Sequence, residues 1–142
     1  PQEEIFQLLV DAYRLLPKRN KRLVTDSTLL KLLALCGLQP ILDSCTSCNE
    51  PVTEDGFFSL VQGGFLCKNC ALGEELPMSL GTRDLMEQLL QLDLAQPPNF
   101  TVRGRELMEM EKILHAFIVY QTDRPLHSLD FLAQMENTAH GQ

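Results

Sequence analysis

No stretch of the 142 residues holds the roughly eighteen uninterrupted apolar residues that a membrane-spanning helix needs. The opening PQEEIFQLLVDAYRLL has neither the basic start nor the small-residue cleavage site of a secretory signal. The expectation is a cytoplasmic protein. HExxH, GxSxG, the Walker phosphate loop and the glycine-rich dinucleotide fingerprint are all missing, as is the HxE that precedes the cysteine pair of zinc deaminases. His115, His127 and His140 are the only histidines, and their scattered positions read as ordinary surface or packing residues. No catalytic residue is expected. Positive charge is the scarcer sign, with 12 Lys and Arg against 19 Asp and Glu and a net charge of −7. Broad neutralisation of phosphate is therefore excluded, and any contact with nucleic acid must come from a local cluster. A length of 142 residues at 44% hydrophobic content supports one core with a small attachment, not two full domains. The chain starts on Pro1, directly in a helical pattern, and is read as a piece of a longer protein.

The apolar pattern that is present is helical. Ile5, Leu8, Leu9, Ala12, Leu15 and Leu16 recur at three-to-four spacing until Pro17 ends the run. STLLKLLALCGL follows, with Thr25, Asp26 and Ser27 as candidate caps, Gly37 near its end and Pro40 beyond. Apolar nearly all round, this second helix is expected at the centre of a bundle, with Cys36 as a small buried residue. Leu85, Met86, Leu89, Leu90 and Leu92 mark a third helix, capped by Ser79 or Thr82 and stopped by Pro97-Pro98. Leu107, Met110, Ile113, Leu114, Phe117 and Ile118 mark a fourth. A short amphipathic piece from Leu126 to Met135 is expected to fold back on the bundle. The only strand signal is FFSLV, QGG and FL, a small hairpin between residues 57 and 66.

That hairpin lies between two CxxC pairs, Cys45/Cys48 and Cys67/Cys70, eighteen residues apart. Each CxxC turn sets two sulfurs on one side of a tight loop, and the hairpin returns the second pair to the first. Four thiolates can then surround one zinc ion, a structural site with its shell closed. Paired disulfides suit an oxidising compartment, and a redox dithiol prefers a βαβ surround that is missing here. The fold class is therefore mainly α, a helical bundle with an inserted four-cysteine zinc-finger β-hairpin. Its expected divisions are helices over 1–42, the zinc insertion over 43–75, helices over 76–136 and a flexible tail over 137–142. The metal's expected task is to fold a segment too poor in apolar surface to stand alone, so its loss should loosen the hairpin before the bundle. Phe57, Phe58, Leu60, Phe65 and Leu66 would form a ledge against the helices.

The insertion is a poor partner for phosphate. Lys68 is its only cation between Cys45 and Cys70, against Glu50, Glu54 and Asp55. Four thiolates and one divalent ion would add a further net −2. Cations concentrate instead in RLLPKRNKR, where Arg14, Lys18, Arg19, Lys21 and Arg22 put five of twelve into nine residues. This run reads either as a solvated loop between helices or as a phosphate-contacting patch.

In combination, LLALCGLQPILDSCTSC, GFFSLVQGGFLCKNC and the late YQTDRPLHSLDFL resemble the C-terminal region of RecO, the bacterial recombination mediator family of DNA repair. The resemblance extends from about residue 5 to 133. It implies a non-enzymatic protein that binds and anneals single- and double-stranded DNA and, with RecR, loads RecA onto strands coated by single-stranded DNA-binding protein. It also implies a bacterial, nucleoid-associated location and an OB-fold upstream, which would carry most of the DNA surface. Where the family often has PLKSR, this chain has Pro125-Leu126-His127-Ser128-Leu129. The loss of two cations leaves the cluster at 14–22 as the better DNA candidate, with Leu126, Phe131 and Leu132 packing the tail helix.

Family members also recognise the C-terminal tail of single-stranded DNA-binding protein, an acidic segment ending in apolar side chains and a carboxylate. Lys31, the only charge in the second helix after Asp26, with Leu35 and Leu38 one and two turns on, is the candidate partner-binding set. The alternative is that these leucines are core and Lys31 reaches solvent. Two other functional readings stay open. One is a zinc-stabilised protein-interaction adaptor. The other is an Arf GTPase-activating-type zinc finger, although Glu75 stands where that family has its arginine.

Overall fold

The three-to-four spacing of apolar side chains produces four helices among the described residues of this computed structural model, which are 2–15, 21–95 and 102–140, with the side chains of 10–15 and 124–140 outside the description. They are α1 (Gln2–Leu15), α2 (Lys21–Leu35), α3 (Leu80–Gln91) and α4 (Gly104–His140). Between α2 and α3 lie β1 (Gly56–Ser59), β2 (Gly64–Leu66) and β3 (Leu76–Met78). The strands form one antiparallel sheet in the order β2-β1-β3, with Phe58 opposite Phe65 on one side and Leu76 on the other. The third strand had no signal in the sequence, because LPM is short and holds a proline, so the sheet extends three residues past the expected end of the insertion.

α2 touches all three other helices, yet its burial only partly follows its hydrophobicity, with Leu23, Val24 and Leu30 in the core. Asp26, Ser27 and Thr28 are buried, whereas Leu32, Leu33 and Leu35 are only half-buried. The helix begins at Lys21, so Thr25, Asp26 and Ser27 lie in its interior and are not its caps. One tertiary and one intrahelical bond occupy the hydroxyls of Ser27 and Thr28. The Ser27 hydroxyl donates to the Leu89 carbonyl of α3 at 2.7 Å, and that of Thr28 donates back to Val24 at 2.6 Å. The C-terminus follows the glycine signal. Gly37, at φ 79, lets its N–H bond the Ala34 carbonyl at 3.0 Å and the Leu38 N–H bond Leu33 at 2.8 Å. Cys36 sits on this exit turn and is exposed, contrary to the expectation of burial, because the chain has already left the bundle.

In α1, Leu8 packs with Val24 and Leu94, but Leu9 is 51% exposed, so the expected apolar stripe is only partly covered. The N-terminus of α3 is secured three ways. The Ser79 hydroxyl accepts from the Thr82 N–H at 3.1 Å, Asp55 accepts from Leu80, and Glu109 of α4 accepts from Ser79. α4 runs 37 residues straight through Pro125 and takes in residues 126–135 as well as 137–140. The expected fold-back piece is therefore part of α4. A proline inside a helix forfeits one N–H bond and bends the axis without forcing the chain to reverse.

The core is continuous across both halves. Phe58, Phe65, Leu66 and Met78 of the sheet share one buried cluster with Leu30, Leu85, Met110 and Phe117 of the helices. The Phe58 and Phe117 rings meet edge to face at 5.4 Å and 76°. The ledge expectation holds, and it goes deeper than a ledge, since Phe58 is fully buried.

One charge cluster, buried at Asp26 alone, joins α2 to α4. The Arg22 guanidinium grips Glu111, with Nε donating to Oε2 at 3.2 Å. Asp26, one turn along α2, is only 6% exposed, and its Oδ2 has no hydrogen-bond partner. Burial, reinforced by the facing Glu111 carboxyl, lifts Asp26 from the ordinary 3.8 to about 8. The Arg22 bond holds Glu111 below its usual range. The folded state therefore keeps a proton on Asp26 that the unfolded chain releases, so stability falls as pH rises between those two values. Thermal melts from about pH 5 to about 8.5 should show this decline, and Asp26→Asn should flatten it. The substitution should also raise stability near pH 8 by roughly 1–3 kcal/mol, the cost of a buried unsatisfied group. Comparing the two proteins separates Asp26 from the cysteine thiols, and an unchanged difference across the window would count against the assignment.

Candidate metal centre

The first knuckle is a tight turn closed by its own backbone. Cys45 N–H donates to Glu50 at 2.9 Å, Asn49 N–H donates to Cys45 at 3.0 Å, and Asn49 takes the left-handed conformation at φ 64. In the second, the N–H groups of Cys70 and Ala71 both donate to the Cys67 carbonyl, at 3.0 and 3.1 Å. The segment leading into the first knuckle then runs beside β2. Ile41 N–H donates to Gly63 and its carbonyl accepts from Phe65, while Thr46 N–H donates to Phe65 at 2.8 Å. Gly64 permits this approach, since a Cβ there would collide with the Ile41 carbonyl. The two knuckles are thus fixed to the same short strand.

The outcome is a cluster in which the sulfurs of Cys45, Cys48, Cys67 and Cys70 all lie within 4.8 Å of one another, a group that could hold a metal ion. Cys48 and Cys67 are 3.8 Å apart, Sγ to Sγ. Cys45 is fully buried, Cys67 and Cys70 half-buried and Cys48 exposed. Burial opposes ionisation of Cys45, but backbone N–H groups, including those of Cys67 and Ser47 at 3.4 Å, outweigh it and bring the thiol down to about 6. Cys70 goes the other way, to about 12, because its hydrogen bond with Cys67, burial and Cys48 all resist a further negative charge. The polypeptide by itself favours a thiolate at Cys45 and resists one at Cys48 and Cys70. A cation at the centre would reverse that balance. With four sulfur donors and no histidine or carboxylate, the set has the composition of a closed structural site, without a position for substrate water.

Other residues singled out from sequence are more dispersed. Lys18 and Arg19 lie outside the described residues, as does the side chain of Arg14. Lys21 is exposed at the start of α2, and Arg22, though exposed, is engaged by Glu111. Lys31 and Leu35 line a groove of about 970 Å³ between α1, α2 and the end of α3, whereas Leu38 does not. The Lys31 ammonium donates to the Leu90 carbonyl at 2.7 Å, and burial lowers its pKa. Glu4, Asp43, Glu87 and Asp93 also line the groove, and Lys31 is its lone cation among the described residues. Glu75 folds its own loop, accepting from the N–H groups of Leu72 and Gly73 at 2.9 and 3.0 Å. His115 is exposed on α4, and the side chains of His127 and His140 are outside the description, as are those of Leu126, Phe131 and Leu132. No helix among the described residues is long and apolar enough to cross a membrane. The Asp26–Glu111 pair escaped sequence reading, because its two members lie far apart in the chain and neither has a local pattern to distinguish it.

A family model described as "Recombination protein O C terminal" matches residues 1–130. Among curated relatives, "DNA repair protein RecO" of Desulforamulus reducens is 30% identical over 138 residues, covering 95% of this chain and 54% of its own length. The protein of that name from Pelotomaculum thermopropionicum is 31% identical, covering 93% and 52%. That from Symbiobacterium thermophilum is 33% identical, covering 92% and 54%. The chain spans about half the length of these relatives. With the match running through both knuckles, the hairpin and most of the helices, the chain belongs to the RecO family, to whose C-terminal region it corresponds.

Proposed function

We propose that this chain is the zinc-containing C-terminal part of a non-enzymatic recombination mediator acting in bacterial DNA repair. The four-sulfur cluster carries the structural half of this reading, and membership of the RecO family carries the rest. Zinc is favoured by an all-thiolate donor set and by size, since a tetrahedron with metal–sulfur bonds of about 2.3 Å has sulfur–sulfur edges of about 3.8 Å. Cys45, Cys48, Cys67 and Cys70 would hold it, and its contribution would be to folding. The whole protein would carry an OB-fold upstream of this region as its main DNA surface, and would work with RecR to load RecA onto strands coated by single-stranded DNA-binding protein. The basic run at 14–22 is our candidate for DNA contact by this part, and the groove at Lys31 and Leu35 for the tail of single-stranded DNA-binding protein. The groove's mixed apolar and charged lining equally suits a protein-interaction adaptor. Strand annealing on coated DNA by the whole protein separates the two, since an adaptor would have no such activity.

Purified chain should contain one zinc per molecule by metal analysis under reducing, chelator-free conditions. Less than about half an equivalent would count against the site. Cys67→Ser should lower the melting temperature of the whole fold in a single transition. The shared core makes separate loosening of the hairpin the unexpected result, which revises the local effect anticipated from sequence. Lys18, Arg19 and Lys21 should give weak, sequence-independent binding to duplex DNA, with Arg22 adding little because Glu111 holds it. Three phosphate contacts predict a log-log salt slope of about −3. Binding that survives replacement of all three by alanine, or that is insensitive to salt, would sink this placement.

A further inference from the structure

The outward face of α4 carries its own repeat. Arg105, Met108, Lys112, His115 and Val119 are all exposed and follow at alternating steps of three and four residues, which sets them in one stripe along the helix. Two large apolar side chains lie bare there, Met108 at 68% exposure and Val119 at 52%. Over residues 105–119 the carboxylates of the same helix are turned to the fold. Glu109 accepts from Ser79 at 2.7 Å, Glu111 holds Arg22, and Glu106 is half-buried against Gly81. Arg105, Lys112 and His115, by contrast, make no hydrogen bond or ion pair among the described residues, in a chain where acids outnumber bases 19 to 12. Thr122, the next position of the alternation and the last one described, is exposed as well.

We infer that this stripe docks an acidic amphipathic helix from a partner protein. Carboxylates on such a helix would meet Arg105, Lys112 and His115, while its apolar positions would cover Met108 and Val119. A second copy of the chain fits poorly. In-register parallel pairing sets every cation against itself, and antiparallel pairing centred on Lys112 sets two lysines together. Nucleic acid would use the cations but leave the two apolar side chains in water.

The test uses the chain itself and a labelled helical peptide about three heptads long, with glutamate and leucine alternating at the same three-and-four spacing. Anisotropy titration should detect binding, and Arg105→Glu with Lys112→Glu should weaken it about tenfold or more. A peptide with lysine in place of glutamate should bind that double variant better than it binds the original chain. Both substitutions lie on the exposed face, so thermal melts should be unaltered. Met108→Gln provides a second, charge-neutral variant with weakened binding. No binding at peptide concentrations on the order of 100 μM would overturn the inference. So would affinity indifferent to the charge reversal, or equal binding of both peptides. If instead a labelled single-stranded oligonucleotide binds and is lost with the same double variant while the peptide does not bind, the face is a phosphate surface and the inference fails.

Discussion

Phe58 packed edge-on against Phe117 joins the cysteine segment to the longest helix. That contact ties β1 to α4, beside which β3 also lies, and so fixes β2 and, through Ile41 and Thr46, the approach of the first knuckle. The sulfurs converge because the strand between them is already positioned by aromatic burial. The relation also runs in reverse, since strands of three and four residues are too short to hold together unaided. Aromatic packing and the sulfur cluster are therefore two supports for one small sheet, and neither side of the molecule owns the core.

Over residues 105–119, α4 separates the charges of the fold. On its inner side, carboxylates finish structural tasks at the start of α3 and at Arg22. On its outer side, cations and bare apolar groups face solvent. Where α2 crosses this boundary, Asp26 is buried next to Glu111 with one oxygen unsatisfied. Two acids in such proximity are tolerable because one keeps its proton and the other has the guanidinium.

The helices and the four-cysteine cluster were legible because their determinants are local. Apolar spacing sets a helical face, and CxxC sets a turn, wherever they occur. What stayed hidden depends on distant partners. Ser27 has the look of a cap until the Leu89 carbonyl is known to lie 2.7 Å away. Cys36 has the look of core until Gly37 is known to take the chain out of the bundle. The piece over 126–135 reads as separate because side-chain spacing alone does not reveal that α4 continues through Pro125. The third strand was illegible for a related reason. Leu76–Met78 becomes extended only because β1 offers it a ladder.

Pro77 in that third strand also decides what the sheet can do at its margins. Lacking an N–H, it cannot form a bonded pair with Phe57, so the ladder is carried by Gly56 with Met78 and Phe58 with Leu76. The outward-facing position of this edge is then the proline itself, which offers no donor. On the opposite margin, β2 is covered by the run through Ile41 and Thr46. A strand from another molecule meets a blocked edge on either side, so this sheet is built to resist growth by edge-to-edge pairing.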